Sequence, residues 1–189
     1  MHKGFIWGAV AALGLSAPAF AEEGFSYSYL DLGYVTTSVD DSDIETDGFG
    51  LFGSLELTDQ LHLLAGFSTE DLDLGIDANS YRLGAGLNFP LSNRLDIETH
   101  LLYVRSELDT GFGTFKDDGA QIGLGLRGRV SDQLELTGSA DYVSFDGDDG
   151  DESLTFGARY FVTPKFALGG DLTLFDDGHT FFLGGRLNF

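Results

Sequence analysis

The chain has 189 residues, a formal net charge of −21 and no cysteine. Such acidity excludes a nucleic-acid binder, which needs a basic footprint. The missing cysteine excludes thiol catalysis, thiolate metal sites and a fold stapled by disulfides. In chain order, Met1-His2-Lys3 is a short basic start, GFIWGAVAALGL over Gly4 to Leu15 is an apolar run, and Ala19-Phe20-Ala21 is a small-x-small site before Glu22. This is the layout of a secretory signal peptide cleaved after Ala21. The run is too short for a membrane anchor, which takes about 20 residues. The division is therefore a signal peptide over 1–21 and one domain over 22–189. Loss of Lys3 leaves nine Lys+Arg against 31 Asp+Glu in that domain. No later stretch approaches 18 consecutive apolar residues, so no helix of the mature chain is expected to span a bilayer.

The remainder alternates with period two, the signature of strands. Ten segments follow in order: 25–35, 48–57, 61–69, 79–89, 95–107, 119–130, 134–145, 153–162, 166–175 and 179–189. Eight is the alternative count, with the last two segments misread. The first segment is the least regular, since Ser26 and Ser28 share parity with Leu30, Leu32 and Tyr34. A bulge or register shift is expected there. Four similar polar turns, around Thr58-Asp59-Gln60, Leu91 to Arg94, Ser131-Asp132-Gln133 and Thr163-Pro164-Lys165, recur at hairpin-pair intervals. Between them lie acidic stretches at Thr36–Asp47, Glu70–Asp77, Asp109–Asp118, Asp146–Glu152 and Asp176–Gly178, read as longer loops at the opposite end. The Gly-x-Gly steps, such as Gly84/Gly86 and Gly123/Gly125, have no following helix. They are read as small residues in a narrow curved sheet, not as dinucleotide fingerprints.

One face of each segment is apolar, as in Phe49, Leu51, Gly53, Leu55 and Leu57. The other carries Glu56, Arg82, Asp96, Glu98, Arg127, Arg129, Glu135, Asp141, Arg159, Asp171 and Arg186, together with His62, His100 and Gln121. A soluble sandwich would turn the apolar face inward and solvate the charges. Export, an even strand count and segments of about ten residues fit a transmembrane barrel with the charges in its lumen. Aromatic residues eight apart on the apolar face, Tyr81 and Phe89 or Phe181 and Phe189, rise roughly 20 Å at about 3.3 Å per residue and a tilt near 40°. Such pairs mark the two interfaces of the apolar band.

The signal peptide, alternating strands, TDQ-like turns, acidic loops and terminal Phe resemble the small outer-membrane β-barrel proteins of Gram-negative bacteria, over the whole mature chain. The resemblance implies an all-β, antiparallel, up-and-down barrel in the outer membrane, facing lipid and lipopolysaccharide. It further implies that Phe181, Leu183, Gly185, Leu187 and Phe189 form the signal read by the barrel-assembly machinery. The expected role is structural or surface-interacting, as a monomer. A narrow porin-like channel is the second reading and a lipid-modifying hydrolase the third.

Chemistry is sparse. His62 follows a short turn, His100 lies beside Glu98 and Asp96, and His179 lies beside Asp176 and Asp177, with no catalytic motif around any of them. No cofactor is expected. Asp146, Asp148, Asp149, Asp151 and Glu152 offer hard oxygen ligands suited to weak Ca²⁺ or Mg²⁺ binding, but without the EF-hand spacing. A barrel of about this size has an interior just filled by side chains, so the lumen charges are expected to pair into a plug.

Overall fold

The computed structural model describes residues 24–40, 45–72, 76–145 and 150–189. The expected signal peptide, and Asp146, Asp148 and Asp149 of the acidic loop, lie outside the described residues. Ten strands form a single closed antiparallel barrel: β1 Tyr29–Val39, β2 Glu45–Glu56, β3 Leu61–Leu72, β4 Ile76–Ser92, β5 Leu95–Asp109, β6 Thr114–Arg129, β7 Leu134–Phe145, β8 Asp151–Thr163, β9 Phe166–Phe175 and β10 Gly178–Asn188. Each strand pairs with its sequence neighbours, and β10 closes on β1 from Asn188 opposite Tyr29 to Gly178 opposite Val39. Closure pairs the strand edges, so the backbone groups of the spanning strands find partners within the wall.

The side-chain pattern is inverted relative to a soluble domain. Leu83, Leu101 and Leu124 are each about 60% exposed on the outer face, while Glu135 is 1% and Arg127 2% exposed inside. Outward aromatic residues lie towards both ends of the wall: Tyr34 packs edge-on against Phe49 and Phe67 against Tyr81 on the long-strand side, and Phe89, Phe166 and Phe189 are exposed beside the short turns. Phe189 follows β10 and its amide donates to the Ser28 carbonyl, which ties the terminus to the wall. Among the described residues no helix is long and apolar enough to cross a membrane; the strands carry the apolar face.

Two expectations are corrected. The register of β1 is continuous against both neighbours, with no bulge. The first segment is irregular because Gly24 to Ser28 precede the strand; Phe25 and Tyr27 turn into the lumen. Register shifts occur instead at Pro90/Ser92 and Phe161/Thr163, beside the short turns. The first shift falls at a proline, which cannot donate to a ladder. Several stretches read as acidic loops are strand. β5 and β6 stay paired out to Asp109 opposite Thr114, and only Thr110 to Gly113 make the turn. Gly111 there has φ +74°, the left-handed conformation that favours glycine. Pairing of both neighbours extends these strands beyond the roughly ten residues a membrane requires.

Candidate functional site: the lumen

Inward positions on seven strands bring charges together that are far apart in the chain. Asp31 on β1 meets Arg186 on β10 in a two-point pair, with Nε to Oδ1 and Nη2 to Oδ2 both at 2.8 Å. Arg159 on β8 reaches the same Asp31 oxygen at 3.4 Å and binds Asp171 on β9 at 2.6 and 3.0 Å. Arg186 extends to Glu135 on β7 at 3.5 Å, and Arg127 on β6 donates to the same Glu135 oxygen at 2.8 Å. Glu98 on β5 stands 3.8 Å from Arg127. One chain of alternating charge, Asp171–Arg159–Asp31–Arg186–Glu135–Arg127–Glu98, thus crosses the interior. Burial of unpaired charges is costly, so alternation is the arrangement that lets these groups leave water.

The short-turn end of the lumen is filled by the segment before β1. Arg127 Nη1 donates to the Ser26 carbonyl at 3.1 Å, and Arg129 Nη2 to the Gly24 carbonyl at 2.8 Å. The Arg127 guanidinium lies 4.9 Å from the Tyr27 ring centroid and 5.0 Å from that of Phe25. These ring faces offer cation–π contacts to a guanidinium whose Nη2 has no hydrogen-bond acceptor. Tyr27 stacks on His62 with centroids 4.8 Å apart, and its hydroxyl donates to Asp96 at 2.9 Å.

A separate cluster sits mid-lumen. His100 Nε2 is 2.8 Å from Asp141 Oδ1, and Gln121 donates to that oxygen at 3.0 Å. The Ser139 hydroxyl donates to the other Asp141 oxygen at 2.7 Å. Serine and histidine therefore both serve one carboxylate; the serine does not donate to the imidazole, as an activated nucleophile would.

Several of the sequence-assigned lumen residues fall outside the ion chain. Arg82 lines the interior but has no ion pair or hydrogen bond among the described residues. Arg129 and Asp96 hold the N-terminal segment instead of each other's kind. Asp141 pairs with His100. Glu56 lies at the exposed end of β2, in register with His62, and its backbone amide donates to the Ser28 hydroxyl. Sequence reading missed Asp31 and Tyr27. Asp31 sits among apolar neighbours, Leu30 and Leu32, and its signal was parity alone. Tyr27 precedes the observed strand, and its signal too was parity alone, shared with Asp31.

Glycines seat the bulky inward side chains. A Cβ on Gly86 would meet the His62 ring, one on Gly123 the His100 ring, and one on Gly66 the Phe52 ring at 2.8 Å. Small residues in the wall thus let large groups lie flat in a narrow tube. Two cavities among the described residues border this interior. One of about 280 Å³ lies towards the short turns beside Tyr27, Tyr29 and Glu98. The other, of about 600 Å³, opens towards the long-strand end beside Phe145, Phe175 and Asp176. Both are bordered by Phe52, Arg82, Gln121, Asp141, Thr155 and Asp171.

On the outer wall beyond the apolar band, β5 and β6 carry another pair. About ten residues of β5 from Leu95 span the membrane, so Arg105 and its register partner Asp118 lie past it. Arg105 Nε is 2.6 Å from Asp118, which also accepts from the Tyr103 hydroxyl. The Arg105 hydrogen bond, then the tyrosine, holds the Asp118 carboxyl down to about 2. Asp47, Asp71, Asp77 and Asp109 stand opposite one another on β2 to β5. A hydrogen bond that the protonated Asp77 carboxyl donates to Asp71, with some desolvation, pushes the Asp77 carboxyl up. Asp151 and Glu152 are exposed, and among the described residues no group of three or more His, Asp or Glu side chains is placed to hold a metal ion.

The sequence matches the family model described as the outer membrane protein beta-barrel domain over residues 7–186. No curated relative matches. Among solved structures, an outer membrane channel from Pseudomonas putida F1 is similar at 13% identity and a TM-score of 0.54, covering 89% of this chain and 98% of that one. The KdgM porin in complex with oligogalacturonate is similar at 10% identity and a TM-score of 0.51, covering 86% and 99%. At such identities the likeness is one of fold.

Proposed function

Because the chain belongs to the outer membrane protein beta-barrel domain family, and is an integral outer-membrane barrel, we propose that it serves as a closed surface platform and not as an open pore. The observation that carries this reading is the burial of the charges at the centre of the ion chain. Glu135, Arg127, Asp31 and Arg159 are 1–4% exposed, whereas the charges of a water-filled channel would remain hydrated. Conductance of the purified protein in a planar bilayer tests the reading. Silence is expected; reproducible steps would overturn it in favour of a narrow porin-like channel. That second reading is favoured by one feature, the shared border of the two cavities at Arg82 and Asp141.

On the platform reading the short turns and both termini face the periplasm, and the acidic strand ends face lipopolysaccharide, with weak divalent bridging to its phosphates. The chain acts as a monomer, and residues 1–21 are removed on export. The barrel-assembly machinery reads Phe181, Leu183, Gly185, Leu187 and Phe189; of these, Phe181, Leu183 and Leu187 face outward on β10. Removal of Phe189 is expected to leave unassembled protein in the periplasm. The barrel is not a hydrolase, as the engagement of Ser139 and His100 with a single carboxylate suggests. An unchanged lipid A mass on overexpression is the expected result.

A further inference from the structure

The cavity at the long-strand end has a lining that the ion chain does not require. Its volume of about 600 Å³ is that of a small-ligand site, commonly about 300–1,000 Å³. Three chemistries are arranged around it. The wall is apolar: Phe52 and Phe182 meet edge to face at 5.6 Å, with Val35 and Val104 beside them. Both rings are seated on glycines, Phe52 on Gly66 and Phe182 on Gly33 and Gly184. They therefore lie against the wall and leave the space open. The inner border holds Arg82. Arg127, Arg159 and Arg186 each pair with a carboxylate, but Arg82 has no carboxylate within ion-pair distance among the described residues, only the longer-range attraction of Asp141 and Glu70, and is exposed within the lumen. Its register neighbours are Gly66 on β3 and Val104 on β5, neither of which has a polar side chain. Ser80 and Ser106, paired with each other on β4 and β5, supply hydroxyls on the same inward face. The outer border is acidic, with Asp151, Asp176 and Asp177 in no ion pair among the described residues.

A ligand that satisfies all three needs an anionic end, an apolar body and a cationic end. We propose that this chamber binds a small zwitterion whose two charges are separated by an apolar body, of the class of a short apolar peptide. The carboxylate takes the Arg82 guanidinium fork, whose donors match a carboxylate in two-point geometry. The body lies against Phe52 and Phe182, and the ammonium faces the acidic border. A simple anion would be repelled at that border, and a simple cation would leave Arg82 unpaired. The proposal does not depend on whether the lumen conducts.

Calorimetric titration of the folded barrel in detergent with the dipeptide phenylalanyl-phenylalanine tests it. The dipeptide amide, which lacks the carboxylate, and the N-acetyl dipeptide, which lacks the ammonium, serve as comparisons. Saturable binding of the free dipeptide is expected, with each blocked form weaker on the order of tenfold. Arg82→Gln should weaken the free dipeptide similarly and abolish its advantage over the amide. Ser106→Trp, which fills the chamber without removing a charge, should abolish binding. Absence of saturable binding, equal binding of the amide and the free acid, or unchanged binding by the folded Arg82→Gln barrel each overturns the proposal. The comparison of the three peptides on the unaltered protein decides it even where Arg82→Gln does not fold.

Discussion

Asp31 and Arg186 stand directly opposite each other on β1 and β10, and their two-point ion pair lies across the seam where the first and last strands close the barrel. They are 155 residues apart in sequence. The strongest geometry in the lumen thus coincides with the strand pairing of longest range, which is the last contact an up-and-down sheet can make. Replacing either partner leaves the other with only its longer contact, Arg186 to Glu135 at 3.5 Å or Asp31 to Arg159 at 3.4 Å. Asp31→Asn or Arg186→Met should therefore each destabilise by less than the roughly 3–5 kcal/mol of a stranded buried charge but by more than the roughly 0–1 kcal/mol of an exposed pair, read as a lower urea midpoint for loss of the compact, fast-migrating form on unheated denaturing gels. The double replacement should cost less than the sum of the two.

Arg127 should matter more than a cation outside the lumen. It is 2% exposed and binds Glu135, the Ser26 carbonyl and three rings, those of Phe25, Tyr27 and Tyr29. Lys116 is 52% exposed by its side chain and pairs only with Glu107. Arg127→Leu is expected to lower the unfolding temperature clearly more than Lys116→Leu, because exposed pairs contribute only about 0–1 kcal/mol. Equal, small effects would mean a wet lumen and an unimportant ion chain.

The segment before β1 closes one mouth of the lumen. Phe25 and Tyr27 are held by Arg127 and Arg129, and Tyr27 is 3% exposed. The double variant Phe25→Ser, Tyr27→Ser should keep the barrel folded, since neither residue belongs to a strand. Conductance in a bilayer should rise above that of the parent. A silent, folded variant would show that the ion chain alone blocks the lumen.

Acid should loosen the β5–β6 extension. The Asp118 carboxyl is held down to about 2 from an ordinary value of 3.8. A depressed acid favours the folded state at every pH above the ordinary value, and that contribution fades as pH falls from about 4 towards 2. The protection factors of amides in residues 105–118, taken relative to intrinsic exchange at each pH, should fall over this window in the parent. In Arg105→Gln they should already be low at neutral pH and change less.

Asp77 should respond in the opposite sense. Its carboxyl is pushed up beside Asp71 and Asp109, so its ionised form opposes folding and the penalty lifts as pH falls through the raised value. Asp77→Asn is expected to raise the unfolding temperature at pH 7 and to lose that advantage under acid. No gain at pH 7 would show that neighbouring charges are already screened.

Strand number, hairpin order and the inward or outward sense of most side chains were legible in the sequence. Period-two alternation is a local property, and short turns leave a neighbour no other partner. The pattern over 134–145 and 166–175 gave strands with the observed bounds, β7 and β9. It placed Arg127, Glu135, Arg159 and Arg186 on the inward face, since one residue of slip would turn an entire apolar face inward. What parity could not specify was pairing. Which arginine meets which carboxylate depends on register across strands and on the stagger around a closed wall, and those are set by all ten strands at once. Arg82 and Arg159 looked equivalent in the sequence. The fold sets Arg159 between Asp31 and Asp171, and leaves Arg82 between a glycine and a valine. Phe25 and Tyr27 have the alternation of a strand, yet they fill the lumen, where Arg127 and Arg129 take their ring faces and the Ser26 and Gly24 carbonyls. Sequence alone determined the wall, because its rules are local; only the closed tertiary structure decided what the wall encloses.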